Sequence, residues 1–266
     1  MSYTTYQSSR VAYQYINRAA TTVVLLHGFC EDSTMWAEFM PLLSKKYSIL
    51  TIDLAGFGDS DLLATSSIAT MASSVKAVLE ALAIQKCVLI GHSMGGYVAL
   101  EFAAQYPDYL QGLGLLHSHP YPDTPSKIKN RKKTIQFVEK HGVAPFAGQF
   151  VRNLVAPAFA KRHPQVLEEL IHHTATHRSD AVVSALQAMI DRKDHHHTLQ
   201  QLQVPVLFVI GKKDAAIPYD WSLLQTNLAN CASIHLLDQV GHLSTLEAPV
   251  QTAAIFNDFL DFCWSK

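Results

Sequence analysis

The chain has 266 residues, 48% apolar and 16% charged, which is enough to bury a large core within one α/β domain and argues against disorder. Its 21 lysines and arginines face 22 aspartates and glutamates, so the formal charge of -1 exerts no overall pull toward nucleic acid or an anionic membrane. Cys30, Cys87, Cys231 and Cys263 match no metal or disulfide spacing, and no apolar run approaches the roughly 18 residues of a membrane span. The opening "MSYTTYQSSR" lacks the basic and apolar regions of a signal peptide, so the expectation is a cytoplasmic protein in a reducing compartment, with homo-oligomer formation left open.

Along the chain, "RVAYQYIN" alternates and reads as the edge strand of an N-terminal hairpin. "TTVVLLHG" (21–28), "YSILTIDLAG" (47–56), "KCVLIGHS" (86–93), "LQGLGLLHS" (110–118), "VPVLFVIG" (204–211) and "ASIHLLD" (232–238) are short, mostly continuous apolar runs, as expected of strands buried on both faces of a parallel sheet. Helical patterns fall between them: "STMWAEFMPLLSKK", "SSIATMASSVKAVLEALAI", "GGYVALEFAAQYP", "DWSLLQTNLA" and "APVQTAAIFNDFLDFCW". This alternation predicts βαβ units with right-handed crossovers and helices on both faces of the sheet. Residues 119–200 break it with helical patterns, prolines and histidine-rich patches. They read as a helical cap inserted into a core formed by 1–118 and 201–266, the two sharing one hydrophobic interior.

"VLIGHSMGGYV" (88–98) places Ser93 between an apolar strand and a helical pattern, with glycines on both sides. Strand, tight turn, helix is the setting of a nucleophile elbow, where strained backbone needs small neighbours. The helix N-terminus beneath the serine favours developing negative charge.

At "GHSMGG" the chain resembles the α/β-hydrolase family. "LLHGF", "DLAGFGDS", "GHSMGG", "GKKDAAIP" and "VGHLSTLEAP" are similar to that family's landmarks in order and spacing. The resemblance implies a mostly parallel eight-stranded sheet with helices on both faces and a helical cap. It is nearest to the small carboxylesterase and C–C hydrolase branch, which works without cofactor or metal on a small-molecule acyl substrate. A serine at the elbow argues against haloalkane dehalogenase and epoxide hydrolase chemistry, whose relatives carry aspartate there.

A serine hydroxyl needs a base in reach and a third group to fix that base's tautomer. In this fold they follow in the order acid, then histidine. His242 lies after the last strand and before the final helix, and Asp214 follows "VLFVIG" in a turn, so the triad is expected to be Ser93, His242 and Asp214. Asp220 and Asp238 read as surface or capping carboxylates. The main-chain N–H groups of Phe29 and Met94 are the expected oxyanion donors, each worth roughly 3 to 4 kcal/mol in the transition state. His27, Gly28, Asp53, Gly56, Gly58 and Ser60 read as loop-shaping residues.

Other features are read as structural. "HHTATH" spaces His173 and His177 for a metal on one helix face but lacks the glutamate of H-E-x-x-H, and "DHHHT" (His195 to His197) reads as cap packing. "KIKNRKK" (127–133) has no interleaved aromatics and reads as a solvated helix start. His117 and His119 are candidates to line the pocket mouth, and Phe146, Phe150, Phe159 and Met189 to supply its apolar walls. The expected activity is cleavage of an ester with a small or medium acyl group. A C–C hydrolase of a diketone-type substrate and a non-catalytic ligand receptor are the alternatives.

Overall fold

A computed structural model describes residues Met1–Ser265. Its strands are β1 (Ser2–Tyr6), β2 (Ser9–Ile16), β3 (Thr22–Leu26), β4 (Ser48–Ile52), β5 (Cys87–His92), β6 (Leu110–Leu116), β7 (Val206–Gly211) and β8 (Ala232–Leu237). They form one eight-stranded sheet in the order β1-β2-β4-β3-β5-β6-β7-β8. The β1–β2 and β2–β4 pairings are antiparallel and the other five parallel. The edge position expected for "RVAYQYIN" is therefore taken by β1, whose polar "SYTTY" leaves mostly exposed side chains. At the other edge β8 alternates in burial, where its sequence suggested a fully buried run, because only one of its flanks is paired.

The period-two geometry of a strand sorts β3 between the two layers. Val24 and Leu26 pack with α1 (Ile68–Ala81) and α2 (Met94–Gln105), while Val23 and Leu25 pack with α11 (Pro249–Trp264) and with Trp36 and Phe39. All four are fully buried, and each such side chain contributes roughly 2 kcal/mol. Ser67 starts α1 with a capping box to Thr70.

The helix expected from "STMWAEFMPLLSKK" does not form. Its residues make two short 3-10 turns, Ser33–Trp36 and Met40–Leu42. Pro41 removes a helical donor, and the Ser33 N–H is drawn 2.8 Å from Asp53 Oδ1 instead of into a helix start.

Between β6 and β7 lie α3 (Pro125–His141), α4 (Ala144–Arg152), α5 (Pro157–Arg162), α6 (Pro164–Ala175), α7 (Ser179–Ile190) and α8 (His196–Gln201). Val138, Val182, Leu186 and Met189 of this insertion join the hydrophobic cluster of α1 and α2. A polar tie reinforces the seam: His195 Nε2 donates to Glu101 Oε2 of α2 at 2.9 Å. That hydrogen bond holds the Glu101 carboxyl down at about 2. After β7 come the short α9 (Tyr219–Leu224) and, before α11, α10 (Ser244–Glu247). Among the described residues no helix is long and apolar enough to cross a membrane, and Cys30, Cys87 and Cys231 are free thiols.

Candidate active site

The turn from β5 into α2 places Ser93 at φ 50°, ψ -113°, a left-handed conformation that costs a non-glycine residue of order 1–3 kcal/mol. The flanking glycines serve close approach. A Cβ on Gly91 would lie 2.2 Å from the Gly95 carbonyl oxygen, and one on Gly95 would lie 2.5 Å from that of His27. The strain is held from below, where Ser93 N–H donates to Leu116 O at 2.9 Å and Ser118 Oγ donates to Ser93 O at 2.8 Å.

Ser93 and His242 line one cavity of about 290 Å³ between the sheet and the insertion. Behind His242, the two oxygens of Asp214 are divided between partners. Oδ2 accepts from His242 Nδ1 at 2.6 Å, and Oδ1 accepts from the N–H groups of Ala216 and Ile217 at 2.8 and 2.9 Å. Burial pushes the Asp214 carboxyl up, but the charge and hydrogen bond of His242 outweigh it and hold it well below the usual carboxylate range. With Nδ1 carrying the proton toward Asp214, His242 Nε2 is the basic nitrogen. No hydrogen bond joins it to Ser93 Oγ in this structure. In serine hydrolases a serine–histidine contact of this kind often tightens only with substrate in place.

Leu26 ends β3, and the chain then turns through His27 and Gly28. His27 Nε2 accepts from Leu54 N–H and its Nδ1 donates to Gly28 O, each at 2.8 Å, so the ring stitches the loops after β3 and β4 together. Asp53 Oδ1 and Oδ2 take the Ser33 and Asp59 N–H groups, and Ser60 Oγ donates to Asp53 O. The N–H groups of Phe29 and Met94 have no hydrogen-bond acceptor among the described residues.

Several expected lining residues lie elsewhere. Phe146, Phe150 and Met189 face the cavity, but Phe159 packs in a separate cluster with Val151 and Leu167. His117 and His119 are outside the cavity wall. His117 is wholly buried with Nδ1 3.6 Å from Asp214 Oδ2, and burial lowers it to about 4, so it is neutral. His119 lies against a neighbouring cavity beside Trp221, where Tyr97 OH is 3.4 Å from its Nε2. "KIKNRKK" also departs from a purely solvated reading. Lys127 and Arg131, one turn apart on α3, turn inward with Thr134 and line the cavity, leaving Lys129, Lys132 and Lys133 exposed.

Groups not singled out in the sequence hold the site. Glu31 accepts from Gly28 N–H at 2.7 Å and from His92 Nδ1 at 2.8 Å, and His92 Nε2 donates to His242 O at 2.8 Å. Burial opposes charge on both side chains. Their mutual attraction prevails, lowering Glu31 and raising His92. Glu247 takes the N–H groups of Gly241, Leu243 and Ala156 and so frames the His242 loop, although burial raises its own carboxyl. The available signals were a glutamate inside "HGFCED" and another five residues after His242.

His117, Asp214 and His242 offer three potential metal donors within 4.8 Å of one another. A cation there would displace the His242–Asp214 hydrogen bond. The other histidine groups are engaged separately: His173 with Asp32 at 3.2 Å, His177 edge-on to Phe57, His196 with Asp194 and His197 with Gln200.

A mostly parallel sheet with helices on both faces, a strained serine between β5 and α2 and a histidine–carboxylate pair after β8 and β7 define a class of hydrolases. Residues 21–249 match the model of the alpha/beta hydrolase fold family, and the chain belongs to that family. Among solved structures it is similar to a thermophilic esterase from Thermogutta terrifontis, with 28% identity and a TM-score of 0.91 over 96% of this chain and 94% of that one. It is 27% identical to a pimeloyl-acyl-carrier-protein methyl ester esterase of Neisseria meningitidis serogroup B, across 91% of this chain and 94% of the relative. It is also 27% identical to a 2-hydroxy-6-oxononadienedioate/2-hydroxy-6-oxononatrienedioate hydrolase of Paraburkholderia phymatum, across 94% and 91%. The protein is a hydrolase of this fold with esterase-like relatives.

Proposed function

We propose that the protein is a serine carboxylesterase acting on a small or medium acyl ester, with residues 119–200 serving as the cap over its site. Ser93 Oγ attacks the acyl carbon while His242 Nε2 takes its proton. Asp214 keeps the Nδ1 proton on the far side of the ring and stabilises the imidazolium, and the N–H groups of Phe29 and Met94 receive the oxyanion. His242 then returns the proton to the leaving alcohol, and water, activated by the same nitrogen, resolves the acyl-enzyme.

The observation that carries this reading is the 2.6 Å bond from His242 Nδ1 to Asp214 Oδ2, which leaves Nε2 on the side of a cavity that Ser93 also lines. The two esterases similar to this chain favour an ester as substrate. The Paraburkholderia phymatum relative supports a second reading, C–C cleavage of a diketone-type substrate with the same three residues. A fluorophosphonate probe and p-nitrophenyl acetate test the first. Rapid labelling at Ser93 and hydrolysis, both lost in Ser93→Ala, are the expected result. A folded protein that neither labels nor hydrolyses would count against the esterase and favour the ligand receptor, and full activity in Ser93→Ala would sink the mechanism.

A further inference from the structure

The wall that α3 presents to the cavity carries more positive charge than the protein neutralises. Thr124 caps α3 and Pro125 follows it, which puts Lys127 in the first turn, where the helix dipole disfavours a cation. Lys127 Nζ donates to Ala216 O at 2.8 Å, and no carboxylate lies within 4.0 Å of it among the described residues. An ammonium has three donors, so two remain. One turn on, Arg131 gives its Nε–H to Asp123, leaving its terminal nitrogens without a hydrogen-bond acceptor among the described residues. Asp123 is shared, for Arg192 Nη1 lies 2.8 Å from its other oxygen. Arg131 and Arg192 thus share one carboxylate and Lys127 has none within ion-pair distance among the described residues, with Asp123 and Arg192 almost wholly buried. The next carboxylates, Asp214 and Glu31, are engaged by His242 and His92. The excess is felt nearby: burial first, then the charges of Arg192 and Lys127, bring His119 down to about 3.

The remainder of the wall is mixed: Glu31, His92, Tyr97, Asn130 and Thr134 supply polar groups, and most of the other side chains are apolar. Phe29, Phe146, Phe150, Met189 and Ile217 line the same cavity as Ser93 and the α3 cations. We propose that Lys127 and Arg131 form an anion subsite, and that the substrate is a half-ester of a dicarboxylic acid whose free carboxylate binds them while its ester carbonyl meets Ser93. The inference rests on the esterase reading for its chemistry. Its energetic basis is separate, since a carboxylate supplies the acceptors that these donors lack in a partly desolvated wall.

Mono-p-nitrophenyl esters of glutaric, adipic and pimelic acid, compared with neutral p-nitrophenyl esters of the same carbon count and corrected for uncatalysed hydrolysis, test it. The expected kcat/KM ratio favours at least one half-ester by on the order of tenfold and falls toward one in Lys127→Met and in Arg131→Met. A wild-type ratio at or below one for every pair, or a ratio that both substitutions leave unaltered, overturns the proposal. Calorimetry on Ser93→Ala separates this outcome from failure of the esterase reading. Even without turnover, monomethyl adipate should bind more tightly than methyl hexanoate and lose that advantage in the Lys127→Met background. Equal binding of the two ligands overturns the subsite.

Discussion

The carbonyl oxygen of His242 accepts a 2.8 Å hydrogen bond from Nε2 of His92, the residue immediately before Ser93. Because the other nitrogen of His92 faces the Glu31 carboxylate, both ring nitrogens meet acceptors, which only an imidazolium can satisfy. The residue before Ser93 and the backbone of His242 are therefore held by one buried ion pair.

Removing one partner should be costly. Glu31→Gln is expected to lose about 3 kcal/mol of stability in urea unfolding, because a buried imidazolium is left without its counter-charge. The pH dependence follows from the two shifts. The Glu31 contribution is complete above its ordinary value of 4.5 and is lost as pH falls through its lowered folded value. The His92 contribution is complete below 6.5 and is lost as pH rises through its raised folded value. The gap between wild type and variant should therefore be widest between those two ordinary values. A gap that is the same at pH 3, 5.5 and 9 would contradict the pairing.

Asp214→Asn should lower kcat by about 10³- to 10⁴-fold with a much smaller change in melting temperature. An asparagine oxygen can keep the Ala216 and Ile217 N–H bonds, so the loop survives, but the amide cannot support an imidazolium at His242. His117 gives no rescue because it is neutral and buried behind the acid. Single-turnover labelling with a fluorophosphonate checks this, since it should slow in parallel with kcat.

Gly95→Ala places a methyl 2.5 Å from the His27 carbonyl, a backbone atom that cannot swing aside. The expected cost is about 1–3 kcal/mol in chemical denaturation, with Ser93 labelling slowed beyond what the loss of folded protein explains. Unaltered labelling and stability would show that the elbow has slack.

The Glu101–His195 tie predicts an acid-sensitive seam. With its folded carboxyl at about 2 and an ordinary value of 4.5, Glu101 contributes stability above pH 4.5 that is lost as pH falls toward 2. The stability difference between wild type and Glu101→Gln should therefore shrink over that interval. Thermal melts of both proteins at pH 5, 4 and 3 measure it.

What could be read in advance depended on how locally each feature is encoded. The β-branched runs of β3, β5 and β7 announce strands because burial on both faces leaves few polar positions. Ser93 and Asp214 stand out because each follows such a run in a turn, and His242 because it lies between the last strand and the final helix. Lys127 and Arg131 did not, because the sequence "KIKNRKK" is as suitable for water as for a cavity wall. Only the path of the insertion over the sheet decides which helix face looks inward. Glu31 and His92 were equally silent, since their partnership spans 61 residues and neither has a local pattern to mark it. The short turns at 33–42 show a competing tertiary contact, Asp53 on Ser33, overriding a helical composition.

His242 N–H donates to the carbonyl of Leu154 at 2.6 Å, and the N–H of Ala156 donates to Glu247, both across the seam between insertion and core. An insertion that lifted off as one rigid lid would strip the His242 loop of these anchors. The stretch 154–156 is thus the doorjamb, and the expected way in to Ser93 is on the α3 side, with that post standing still. Amide exchange that is slow at His242 and Ala156 and faster along α3 would register this division of labour between frame and door.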